Sequence, residues 1–190
     1  MGIPTLIKTQ TASNSAYLDF VDGTSSVVFD STYDEYMFVF TDIGPATDGV
    51  ALAFQVNATD DAGGDFDTSL ITSSFFRAVH AEDDDPAALG ILAASNQAQA
   101  AGFQHISEVD QAGSASDESV AGILHIFSPS STTYVKHFYA RVNGCGPTGD
   151  PRSVDNFSAG YINDTTAIDE IRFKMTSGNF DGVIQMYGIS

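Results

Sequence analysis

The stretch STYDEYMFVFTDIGPATDG, residues 31–49, decides how this chain is read. Tyr36, Phe38 and Phe40 alternate with Met37 and Val39. That two-residue period puts successive side chains on opposite faces of a β-strand. Both faces are apolar, so one packs into the protein's own core and the other against a loop or a partner subunit. Gly44-Pro45 then breaks the strand, and Ala46-Thr47-Asp48-Gly49 turns the chain toward its neighbour. Tyr36, Phe38 and Phe40 are therefore expected to share one environment, and Met37 and Val39 another.

The same alternation recurs along the chain. Residues 3–11 and 16–21 read as strands, and Asp22-Gly23 predicts a hairpin into 26–29. In 49–57, Val50, Leu52, Phe54 and Val56 fall on one face. Further strands are predicted at 69–80, 120–127, 134–142, 156–163, 168–176 and 183–189, and a short one at 103–109 within long loops. About ten short strands with turn signals between them predict an all-β fold, an antiparallel jelly-roll-like β-sandwich. Residues 1–190 read as a single sandwich domain with a loop-rich insertion at 81–118. The last strand runs almost to the C-terminus, which ties the chain end into a sheet.

The formal charge is −18, from 25 acids against 7 Lys plus Arg. Such a surface repels phosphate backbones and anionic membranes, so neither nucleic acid nor membrane is an expected partner. It also favours solubility in salty water. Cys145 is the single cysteine, which excludes an internal disulfide. No basic leader followed by an apolar run opens the sequence, so a secretory signal is not expected.

Candidate chemistry is sparse. With the 120–142 hairpin centred near Ser131, His125 and His137 would face each other with Cβ atoms ~5 Å apart, close enough to share a metal. A third ligand is not evident, and two polar residues on a half-exposed sheet face serve equally well. Asp60, Asp61, Asp65 and Asp67 lie on a Gly-rich loop and offer hard oxygen ligands for calcium. They lack the EF-hand spacing, and a solvated turn is the alternative. Asp83-Asp84-Asp85 reads as a charged loop. No G-x-S-x-G elbow, P-loop or dinucleotide-binding glycine pattern occurs. The chain is expected to be no enzyme and to carry no cofactor.

Several segments are familiar as a set: IKTQTASNSAYLDF, STYDEYMFVFTDIGPATDGVALAFQV, the DDAGGDFDT turn, IFSPSSTTYVKHFYARV, SAGYINDTTAIDEIRFKMTSGNFDG and the terminal QMYGI. Together they resemble a family of small β-rich virion and appendage proteins of tailed bacteriophages, many of them marine. The resemblance spans nearly the whole chain and is weakest over 81–118. It implies a jelly-roll-like sandwich that is made in the host cytoplasm and resides in the virion. Its place there would be a tail fibre or knob, or another external appendage. A capsid decoration or cement protein is one alternative, and a receptor- or glycan-binding module is another. The implied partners are further copies of the chain, as a trimer, other virion proteins and, in the last alternative, a host surface glycan.

Overall fold

The computed structural model describes residues 2–60, 66, 69–109, 112–146 and 151–190. Thirteen strands form among them: β1 (Thr5–Ser15), β2 (Leu18–Val21), β3 (Glu35–Pro45), β4 (Leu52–Ala58), β5 (Ile71–Ala81), β6 (Ala87–Ile91), β7 (Ala98–Ala100), β8 (Gln104–His105), β9 (Val120–Phe127), β10 (Lys136–Cys145), β11 (Arg152–Ile162), β12 (Ile168–Met175) and β13 (Phe180–Ile189). That is more than the expected ten. The insertion at 81–118 contributes β6, β7, β8 and a 3-10 turn at Ala93–Ser95 and is not merely loop. Among the described residues no helix is long and apolar enough to cross a membrane.

The strands form a 9-stranded sheet in the order β1-β13-β3-β9-β10-β11-β5-β6, with β7 beside β5, and a 4-stranded sheet in the order β2-β12-β4-β8. Every pairing is antiparallel. β1 pairs with β13, β2 with β12, β3 with β9 and β4 with β8, as the two arms of one long hairpin would. The hairpin is then rolled so that β13 meets β3 in one layer and β12 meets β4 in the other. This is the topology of a jelly roll. β10, β11, β5 and β6 extend its larger sheet past β9.

The two layers meet through phenylalanines. Phe173 of β12 lies 5.1 Å from Phe38 and 5.3 Å from Phe40 of β3, and 6.1 Å from Phe20 and 6.5 Å from Phe54 in its own layer, centroid to centroid. Phe54 in turn meets Phe138 of β10 at 5.1 Å. All of these rings are buried. Tyr36, Phe38 and Phe40 sit together in the core, and Met37 and Val39 lie half-buried on the opposite face, as the alternation predicts. The Tyr36 hydroxyl donates to the Asp30 carbonyl at 3.1 Å, and burial, with Asp30 nearby, raises its pKa strongly.

Three sequence expectations change. Residues 26–29 form no strand: Gly23 N–H donates to the Val27 carbonyl, Val27 N–H to Thr24, and Phe29 N–H to the Asp22 carboxylate. These local bonds consume the donors a ladder would need, while Val27 and Phe29 still enter the core. The strand at 103–109 shrinks to Gln104–His105 because Ile106 and Ser107 N–H groups both turn onto the Leu52 carbonyl. β3 continues to Pro45, and the turn begins after it. Its end is bulged where Asp42 (φ 51°) opposes Gly182 (φ 132°), and a Cβ at Gly182 would lie 2.7 Å from the Asp42 carbonyl oxygen.

Phe173→Ala removes the ring that the other phenylalanines share. It is expected to cost about 3–5 kcal/mol in chemical denaturation, within the range for a buried Phe. A cost under about 1 kcal/mol would show that the layers are held together elsewhere.

Candidate functional site

Two surfaces stand apart from the acidic exterior, one on the outer side of each sheet. On the large sheet, the register aligns Thr9, Gln185, Val39, Ile123, Arg141, Phe157, Phe76 and Ile91 in one row across eight strands. The adjacent row runs Tyr187, Met37, His125, Tyr139, Ala159 and Ser74. On the other side lie Ala121, Asn143, Asp155, Ala78 and Leu89. The rings of Phe76 and Phe157 stack at 4.8 Å and 5°, and the Arg141 guanidinium lies 5.0 Å over Phe157. Arg141 Nη2 donates to Asp155 at 2.7 Å, so the Arg and Asp of these rows neutralise each other. Phe76, Ile123, Tyr139 and Phe157 border a hollow of about 250 Å³.

This face ends at β6, which is the sheet edge. Leu89 is 75% and Ile91 78% exposed. Natural sheets protect such edges with charge, proline or a bulge, and Ala87–Ile91 has none of these within it.

The small sheet carries a different surface. β12 directs Arg172 and Lys174 outward between its buried residues Ile171, Phe173 and Met175. Arg172 pairs across the ladder with Asp19, and its Nε and Nη2 each donate to that carboxylate at 2.6 Å. Its Cζ also lies 3.9 Å from the Tyr17 ring centre and 4.3 Å from that of Phe66. On β4, the buried Gln55 amide donates to the carbonyls of Ala101 at 2.9 Å and Gly102 at 3.2 Å. That anchors the 101–103 segment over the sheet and brings the Phe103 ring centre to 4.3 Å from Lys174 Nζ. The result is an open hollow of about 530 Å³ lined by Tyr17, Phe66, Phe103, Arg172, Lys174 and small residues.

The sequence-predicted candidates fare differently. His125 and His137 do not face each other. The connection between Phe127 and Lys136 puts the hairpin centre at Thr132 and not Ser131, so the partner of His125 moves by two residues. His125 therefore opposes Tyr139 and stacks on it at 4.5 Å, with Nδ1 hydrogen-bonded to Glu35. His137 pairs with Tyr161 on the neighbouring strand. Asp60 accepts a hydrogen bond from the Thr166 hydroxyl at 3.1 Å, and Asp61, Asp65 and Asp67 lie outside the described residues. Among the described residues no three His, Cys, Asp or Glu side chains gather to hold a metal. Asp84 pairs with His80, and Asp83 accepts the Asp85 N–H, so this loop bonds to itself and to its own strand. Cys145 ends β10 half-buried, and burial raises its thiol pKa.

Sequence reading missed both surfaces as sites. The two-faced apolarity of residues 36–40 was the one local sign of the large-sheet face. The hollow joins Tyr17, Phe103, Arg172 and Lys174 only through strand pairing, and no short motif carries it. No protein-family model matches the chain, and no curated protein matches it. Among solved structures there is a likeness to a chain described as the binding domain of botulinum neurotoxin DC in complex with rat synaptotagmin II. The likeness has a TM-score of 0.20 at 10% identity, over 96% of this chain and 41% of that one, and carries no argument.

Glu170 lies beside the hollow on β12. Burial, and then the charge of Asp19, raise its pKa above the ordinary 4.5, with Asp169 adding to the rise and Arg172 opposing it. A folded pKa raised above the unfolded one favours the native state at low pH, and that advantage is lost as pH rises through the folded value. Glu170→Gln mimics the protonated form. Its melting temperature is expected to exceed wild type at neutral pH, and the gap should close below 4.5. An equal gap at both pH values would contradict this assignment.

Proposed function

We propose that this protein is a structural component of a tailed-bacteriophage virion, an external appendage or tail-fibre module that works by protein–protein contact. The observation that carries the reading is the large-sheet face: aromatic and aliphatic rows that end in the bare edge strand β6 and whose ionisable groups are paired, Arg141 with Asp155 and His125 with Glu35. Copies carrying −18 each repel one another over most of their surface. A face that is close to neutral and rich in Phe, Tyr, Ile and Leu is where that repulsion is least and apolar burial is greatest. Its occupant is a second copy of the chain, with a trimer as the order the family resemblance implies. The jelly roll agrees by fold-level analogy alone, since capsid and lectin domains both use it.

No side-chain arrangement described above favours catalysis. The nearest approach to a reactive group is Cys145, whose burial holds it as the thiol.

Leu89→Asp with Ile91→Asp places two charges on the exposed edge without touching the core. Sedimentation velocity is expected to show wild type as an oligomer and the double variant as a 20.1 kDa monomer with an unchanged melting temperature. A wild type that stays monomeric at high concentration, or a double variant that still assembles, would overturn the assignment of this face.

A further inference from the structure

We propose that the hollow on the outer side of the small sheet is a binding site for a saccharide ring that bears a carboxylate. Its walls supply three things together. The first is flat apolar surface. Tyr17 is 48% exposed, and Phe103 is partly so, and each presents a ring to which the C–H face of a pyranose can be applied. The second is directed donors. Arg172 is fixed by its two bonds to Asp19, which leave Nη1 without an acceptor among the described residues. The third is a positive charge without an ion-pair partner. Lys174 makes no ion pair among the described residues, and its ammonium rests on the Phe103 ring.

The charge distribution sharpens the choice of ligand. The chain has 7 Lys plus Arg against 25 acids, and two of those cations line this hollow, with no acidic side chain among its described lining residues. Asp19 and the neighbouring Glu170 offset Arg172, which leaves the Lys174 charge to be matched by whatever enters. A neutral sugar would cover that ammonium without pairing it, at a desolvation cost. A carboxylate pairs it, while ring hydroxyls accept from Arg172. A metal ion is a poor fit, because the wall offers cations where it would need oxygen ligands. A nucleic acid strand would meet the −18 of the chain beyond the hollow. The volume of about 530 Å³ lies within the usual range for small-molecule sites, and its openness to solvent suits one or two rings of a longer glycan.

The site stands independently of the assembly reading, since the hollow and the β6 edge lie on opposite outer faces of the sandwich. The test is a titration of the full chain, followed by heteronuclear NMR, with galacturonate, glucuronate and sialic-acid-terminated trisaccharides and with neutral galactose trisaccharide. At least one acidic trisaccharide is expected to bind saturably, shifting Tyr17 and Lys174 resonances, and the neutral one about tenfold or more weaker. Lys174→Gln and Tyr17→Ala are each expected to weaken acidic binding about tenfold. Tyr17 and Lys174 are not core residues, so melting temperatures should be preserved. The proposal is overturned if none of the acidic sugars binds, if the neutral sugar binds as tightly, or if both folded variants bind like wild type.

Discussion

Phe173 is the contact on which the rest of the molecule depends. A jelly roll is one long hairpin wrapped around itself, and its strand ladders run within each layer and do not hold the two layers face to face. That work falls to side chains between the layers. Phe173 reaches Phe38 and Phe40 across the gap and Phe20 and Phe54 beside it, and Phe54 passes the contact on to Phe138. With no Trp in the chain, these 14 Phe and 7 Tyr are the bulky material available. Their edge-on and tilted geometry is the arrangement that aromatic quadrupoles favour.

Closing the core in this way explains why other aromatic residues have no structural duty inside. Phe76, Phe157 and Tyr139 belong to β5, β11 and β10, which extend the larger sheet past the eight-strand roll. The inner side of that extension is covered by the 92–108 segment. Asn96 accepts the Phe75 N–H at 2.7 Å, Ser73 Oγ donates to Gln104 at 2.5 Å, and Glu108 pairs with Arg77. The outer side has no such cover among the described residues. In a chain of −18, leaving stacked rings and a bare edge strand there makes sense as a contact surface. The opposite side of the sandwich does the reverse: it gathers two cations and aromatic rings into a hollow instead of a flat face.

Strand alternation made the core legible before any coordinates. Residues 36–40 declared which side faced inward, and 49–57 did the same. The alternation said little about register. The His125–His137 pairing depended on where the connection between β9 and β10 is centred, and a two-residue shift kept both imidazoles on the same face while separating them. The insertion was opaque for a different reason. Its cover is built from Gln55, Asn96 and Gln104 amides bonding backbone and polar side chains, and such polar pinning leaves no hydrophobic period to read. The hollow needs Tyr17 and Lys174 side by side, at opposite ends of the sequence, and only the β2–β12 pairing makes them neighbours.

The central claim is that this acidic sandwich serves as an assembled particle component and makes its contacts through the outer face of the larger sheet. Cryo-electron microscopy of purified particles that contain the chain tests it most directly. The account predicts copies related by symmetry, with Phe76, Leu89, Ile91 and Phe157 buried against a neighbouring subunit and the small-sheet hollow open to solvent. Particles that lack the chain, or a map in which the β5–β6 face is solvent-exposed in every copy, would contradict it.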